Sequence, residues 1–162
     1  MFNVGDNAVY PGHGVGVIKN ILTKNISGKK IDFYEMQVYD SNCNKPIKIM
    51  IPVDKAEERL RSISPKSKVK KVFTILKDRD IKLDHQTWNR RYREYNEKIR
   101  TGELEEIGAV LRDLFLLKNT KELSFGERKM LDTARNLLVK EISISKNVPE
   151  TKIENEIKQI FA

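Results

Sequence analysis

The sequence predicts an α+β protein, with a small antiparallel β-barrel over residues 1–63 and a compact all-helical domain of about five helices over residues 64–162. Three observations predict it. The hydrophobic period is near two up to about residue 60 and near 3.6 after it. Turn-forming residues cut the first part into four or five short strands. Ser62-Ile63-Ser64-Pro65-Lys66 falls where the period changes and reads as a linker or helix entry.

In the first part, Asn7 to Tyr10 read as a strand that stops at Pro11-Gly12-His13-Gly14. Val15, Val17 and Ile18 resume it. Asn25-Ile26-Ser27-Gly28 reads as a hairpin connection between Ile21–Lys24 and Ile31–Val38. Tyr34, Met36 and Val38 fall two residues apart and share one face. Asp40-Ser41-Asn42 is a second turn. Ile47, Ile49 and Ile51 then alternate with Lys48 and Met50 before Pro52. Strands this short suit a strongly bent barrel. An open edge would present unpaired N–H and C=O groups, a candidate docking site for a partner's strand.

The helical period begins with Val69, Val72, Phe73 and Leu76. Asp78 to Leu83 read as a loop. Trp88, Tyr92, Tyr95 and Ile99 form the apolar face of a second helix, which Thr101-Gly102 breaks. Leu104, Ile107, Leu111 and Leu114 mark a third, with Glu103, Glu105 and Glu106 at its start, where acids suit the helix dipole. Ser124-x-x-Glu127 is a capping box that opens a fourth, buried through Met130, Leu131, Ala134, Leu137 and Leu138. Pro149 starts a fifth, with Ile153, Ile157 and Ile160 inward.

Composition narrows the function. Of 162 residues, 39% are hydrophobic and 33% charged. That is too apolar for a disordered chain and too charged for a membrane protein. Apolar runs such as Leu114–Leu117 fall far short of the ~20 residues a spanning helix needs. The start, MFNVGDNAVY, lacks the pattern of a secretory signal, and the lone Cys43 has no disulfide partner within the chain, so a cytoplasmic protein is expected. Two histidines, His13 and His85, with one cysteine cannot build a Cys/His zinc site. No phosphate-binding GxxxxGK[ST], GxSxG or HExxH motif occurs, and PGHGVGV has strand on both sides rather than the strand–helix setting of a dinucleotide loop. No catalytic residue, metal or cofactor is therefore expected. His13 reads as a turn residue, and the glycines around it as aids to tight curvature.

The formal charge is +8, and its distribution is uneven. Residues 1–64 hold 9 basic and 7 acidic side chains, residues 65–100 hold 12 and 5, and residues 101–162 hold 10 and 11. Nearly all the surplus lies in 36 residues. A concentrated basic surplus is the footprint of polyanion binding, although a solvated helix surface gives the same count. Two readings stand for Trp88: the end of a core stripe, or an exposed wedge beside Arg90, Arg91 and Arg93. Those arginines point in different directions. Arg90 and Arg93 either pair with Glu94 and Glu97 one turn on, or reach a sugar-phosphate backbone. Arg128 and Lys129 sit in the first turns of the capped helix, where cations are mildly unfavourable and a docked phosphate would compensate.

The runs VGDNAVYPGHGVGVI and IPVD resemble the RNA-polymerase-interacting domain of the CarD family of bacterial transcription regulators, a module shared with transcription-repair coupling factor. TWNRRYREYNEKIRTGELEEIGAVLRDL and LSFGERKMLDTARNLLVKE resemble that family's C-terminal domain. The resemblance runs from Phe2 to about Ile144, with both halves in order. It implies a Tudor- or SH3-like barrel that binds the polymerase β subunit. It also implies a helical domain that contacts promoter DNA, through the minor groove and without sequence specificity, at the upstream edge of the transcription bubble. By the same resemblance, Trp88 is the wedge that stabilises the open complex, and Arg90, Arg93, Arg128 and Lys129 are basic DNA contacts. On the polymerase side Lys24 matches a basic position. Met50 stands where relatives often carry a second one, and Lys48, on the same strand face, is its candidate substitute. A monomer associated with the nucleoid through polymerase is implied. A stand-alone nucleic-acid-binding protein, or an adaptor that touches only protein, are the alternatives. The first predicts a basic barrel, and residues 1–64 carry a surplus of only two.

Overall fold

Strands Asn7–Tyr10 (β1), Gly14–Ile26 (β2), Lys29–Val38 (β3) and Ile47–Pro52 (β4) form one antiparallel sheet in that order in the computed structural model of the chain. The structure describes residues 1–39, 45–80 and 88–162, with Trp88 in backbone only. Two compact units appear, Met1–Ile63 and Ser64–Ala162.

The segments Val15–Ile18 and Ile21–Lys24 are one continuous strand, β2, bent by a bulge between Ile18 and Asn20. A bulge adds local twist, which a small curled sheet needs. The hairpin to β3 is tighter than the tetrapeptide suggested. Only Ser27 and Gly28 lie outside the strands, and both have positive φ, 52° and 81°. That is the two-residue connection whose twist matches its strands, and a glycine at the second position suits it. Beyond β4, Val53–Lys55 form a 3₁₀ turn that runs into a single helical turn, Ala56–Arg59 (α1). The chain then returns to the outer edge of β1. The Val9 N–H donates to the Arg61 carbonyl at 2.8 Å, and the Arg61 N–H to the Val9 carbonyl at 3.0 Å. Ala8, Ile18, Tyr34, Met36, Val38 and Ile51 fill the concave side, with Ala56 and Leu60 packed among them.

Gly16 permits the close approach of β2 and β3. A Cβ there would lie 2.7 Å from the Gln37 carbonyl oxygen and 2.8 Å from Val38 Cγ2. The carbonyl belongs to the paired strand and cannot step aside. Gly16→Ala is expected to destabilise the sheet unit by about 1–3 kcal/mol, as overpacking does. Thermal unfolding of the variant checks this, and an unchanged midpoint would contradict it.

Among the described residues, five helices build the second unit: Lys66–Lys77 (α2), Trp88–Thr101 (α3), Leu104–Lys118 (α4), Phe125–Lys146 (α5) and Glu150–Ile160 (α6). Their stripes converge as the spacing predicts. Val69, Val72, Leu76, Leu111, Leu114, Ala134, Leu138 and Ile153 are fully buried. Gly102, with φ 71°, ends α3, and Asn147, with φ 55°, ends α5. Two polar side chains of α5 hold the entry to α2. The buried Glu141 accepts the Ser64 N–H at 2.9 Å, and the Ser145 hydroxyl donates to the Ser64 carbonyl at 2.6 Å. No helix is long and apolar enough to cross a membrane among the described residues.

Tyr92 departs from its expected stripe. It is 44% exposed, because α3 seats itself on the core through Tyr95 and Ile99, nearer its C-terminal end. The Asp40-Ser41-Asn42 turn, Cys43, the end of the 78–83 loop, His85 and the Trp88 side chain lie outside the described residues.

Candidate interaction surfaces

In an antiparallel sheet, residues directly opposite each other share a face. Tyr34 and Met36 point into the core, so Ile31, Phe33, Glu35 and Gln37 point the other way. Lys24 pairs with Ile31, Leu22 with Phe33, Met50 with Glu35 and Lys48 with Gln37. Lys24, Lys48 and Met50 therefore share the outer face. Leu22, Ile31, Phe33 and Met50 are half-buried there, and Lys24 and Lys48 are exposed.

The Lys48 ammonium lies 2.8 Å from Glu35 Oε1, and the Asn20 side-chain amide donates to Glu35 Oε2 at 3.0 Å. The bond from Lys48, then that from Asn20, hold the Glu35 carboxyl below the usual carboxylate range, with a smaller contribution from the Lys24 charge. Such a face offers apolar area fringed by lysines. Beside it, β4 is the last strand of the sheet, so its far edge is unpaired among the described residues. His13 stands apart from both. Its N–H donates to the Tyr10 carbonyl at 2.9 Å and its ring lies 5.0 Å from that of Tyr10, a turn geometry. No group of three or more metal-ligating side chains occurs among the described residues.

In the helical unit the organising residue is Glu127. The capping box is complete, with the Glu127 N–H donating to Ser124 Oγ at 3.2 Å and the Ser124 N–H donating back to Glu127 Oε1 at 3.0 Å. The same carboxylate, 1% exposed, receives Lys121 at 3.0 Å and Arg91 at 3.5 Å. Burial raises its pKa. The Ser124 N–H and the Lys121 ammonium outweigh that, so the carboxyl stays below its ordinary range.

Of Arg90, Arg91 and Arg93 in α3, Arg91 is the one that turns inward. Arg90 and Arg93 are exposed, and no ion pair joins them to Glu94 or Glu97 among the described residues. Arg128 and Lys129 are exposed in the first turns of α5. Arg128 also lines a cleft of about 680 Å³ with Lys118, Lys121 and Arg135, the last held by Asp132 at 2.8 Å. The Arg91–Glu127 contact joins the first turn of α3 to the first turn of α5. Arg90 and Arg128 are the chain neighbours of the two bonded residues.

Spacing located the capping box, but not the burial of its glutamate or its bond to Arg91. Those depend on how α3 lies against α5, which no local pattern encodes.

The family model described as CarD-like/TRCF RID domain matches residues 2–64, and that described as CarD, C-terminal domain, matches residues 71–158. A relative in Bacillus subtilis (strain 168), named "Putative transcription factor YdeB", is 34% identical over 158 residues, spanning 96% of this chain and 99% of its own length.

Proposed function

The chain belongs to the CarD family, and from that premise we propose that it is a transcription regulator that binds the β subunit of RNA polymerase and stabilises the open promoter complex. The barrel face bearing Lys24, Lys48 and Met50 grips the polymerase, assisted by the open edge of β4. Trp88 enters the minor groove at the upstream edge of the bubble. Arg90, Arg93, Arg128 and Lys129 hold phosphates around it. The observation that carries this reading is the Arg91–Glu127 contact, which ties the helix beginning at Trp88 to the helix presenting Arg128 and Lys129.

The thermodynamics follow from the wedge. Parting a base step costs a few kcal/mol, so an indole that occupies the gap prefers DNA already distorted. A ligand shifts an equilibrium only by its preference for one state, and here the preferred state is the open one. Minor-groove readout is degenerate, so no strict sequence code is expected. Two to four phosphate contacts give weak, salt-sensitive affinity for bare DNA, with a log–log slope of about −2 to −4. Attachment to polymerase supplies the missing affinity by raising the local concentration of the helical unit. One copy per polymerase suffices, and such a protein stays at the nucleoid through its partner.

Lys24→Glu tests the division of labour. It is expected to weaken capture of core polymerase about tenfold or more, as reversal of an interface charge does, while affinity for bare DNA stays the same. Normal capture by the variant would overturn the assignment of this face.

A further inference from the structure

Phe125 is 78% exposed, the most exposed large apolar side chain among the described residues of the helical unit. It is the first residue of α5. Residues three and four positions apart on a helix lie on the same side, so Phe125 shares its side of α5 with Arg128 and Lys129, both exposed. Asp132, the next acid along that side, is turned to Arg135 at 2.8 Å. The result is a bare phenyl ring with two cations one turn behind it. A protein surface of aromatic rings and cations is suited to single-stranded nucleic acid, where bases stack on the rings and phosphates meet the charges.

We propose that Phe125 is a second aromatic contact to DNA, stacking on an unpaired base of the strand whose phosphates Arg128 and Lys129 hold. The inference rests on the DNA reading above and extends it. Trp88 is assigned to the paired minor groove, and Phe125 to the separated strand beside it. The choice of an unpaired base follows from the chemistry. The ring has no hydrogen-bonding group with which to read a base edge, and every unstacked base offers a face.

The test uses the full-length chain at low salt with two fluorescent DNA probes of equal length. One is fully paired, and the other ends in a fork with 2-aminopurine in its unpaired arm. Phe125→Ala is expected to weaken binding to the fork about fivefold or more. It should also abolish the quenching of the 2-aminopurine, while binding to the paired probe changes less than twofold. Phe125→Tyr should restore both. The exposed position leaves folding intact, which a matched thermal midpoint verifies. Equal loss on the two probes, or no loss on the fork, would overturn the assignment of Phe125. Arg128→Ala/Lys129→Ala separates the two levels. If the pair lowers affinity for both probes and Phe125→Ala does nothing, only the stacking contact fails. If the pair itself changes neither, the DNA reading beneath it fails too.

Discussion

Trp88→Ala is expected to bind polymerase as tightly as the parent chain, yet to leave open promoter complexes that decay about tenfold faster. The separation is expected because the wedge and the grip lie in different compact units, Ser64–Ala162 and Met1–Ile63. An indole that lowers the free energy of the open complex by about 1.4 kcal/mol changes its population tenfold. That is a fraction of the few kcal/mol involved in parting a base step. Decay of preformed complexes after a competitor trap measures the effect. Equal lifetimes for variant and parent, with polymerase capture intact, would remove the wedge from the mechanism. Thermal unfolding belongs beside it, because a ring that served only as core would lower the midpoint as well.

Glu127→Gln should show the largest change in stability. The carboxylate is 1% exposed and faces Arg91, itself only 15% exposed, as well as Lys121. Glutamine keeps the shape and part of the cap. It takes a buried carboxylate away from a partly buried guanidinium and an ammonium, and losing a buried counter-charge is destabilising. Lys121 is 48% exposed and rehydrates, which reduces the loss. We expect about 2–3 kcal/mol, or a fall of about 10–20 °C in the midpoint of a unit this size.

The pH dependence has a definite sign. The folded-state pKa of Glu127 is lowered, so its contribution is fully present above the unfolded glutamate value of about 4.3. It is lost as the pH falls through the lower folded value. The midpoints of parent and variant should therefore differ at neutral pH and draw together in acid. A constant gap would show that charge is not what Glu127 contributes.

Much of this fold was legible because its signals are local. Asn7–Tyr10 begins and ends where its turn residues say, and Ser124 and Glu127 announce α5 before any packing is considered. The bulge at Ile18–Asn20 was not legible, since it joins two apolar runs that each look like a separate strand. Tyr92 keeps the spacing of its stripe, but α3 meets the core only beyond it. The candidate site divides in the same way. Residue type and spacing brought forward Arg128 and Lys129, and the family resemblance brought forward Lys24 and Lys48. The inward turn of Arg91 and the bareness of Phe125 are products of tertiary packing, and a one-dimensional period carries neither.

The β2–β3 hairpin has a mechanical consequence. From Lys19 to Phe33 no residue is buried, although the strands remain paired from Asn20–Glu35 to Ile26–Lys29. Lys24 thus rides on a ribbon that makes few commitments to the core, and segments with little buried apolar contact open at low free energy. Such an arm can bend to meet the contour of a docking partner while Ile18, Tyr34 and Met36 stay where they are. Its compliance ends at the buried Ile18 and Tyr34, and further in the strands are pressed together at Gly16.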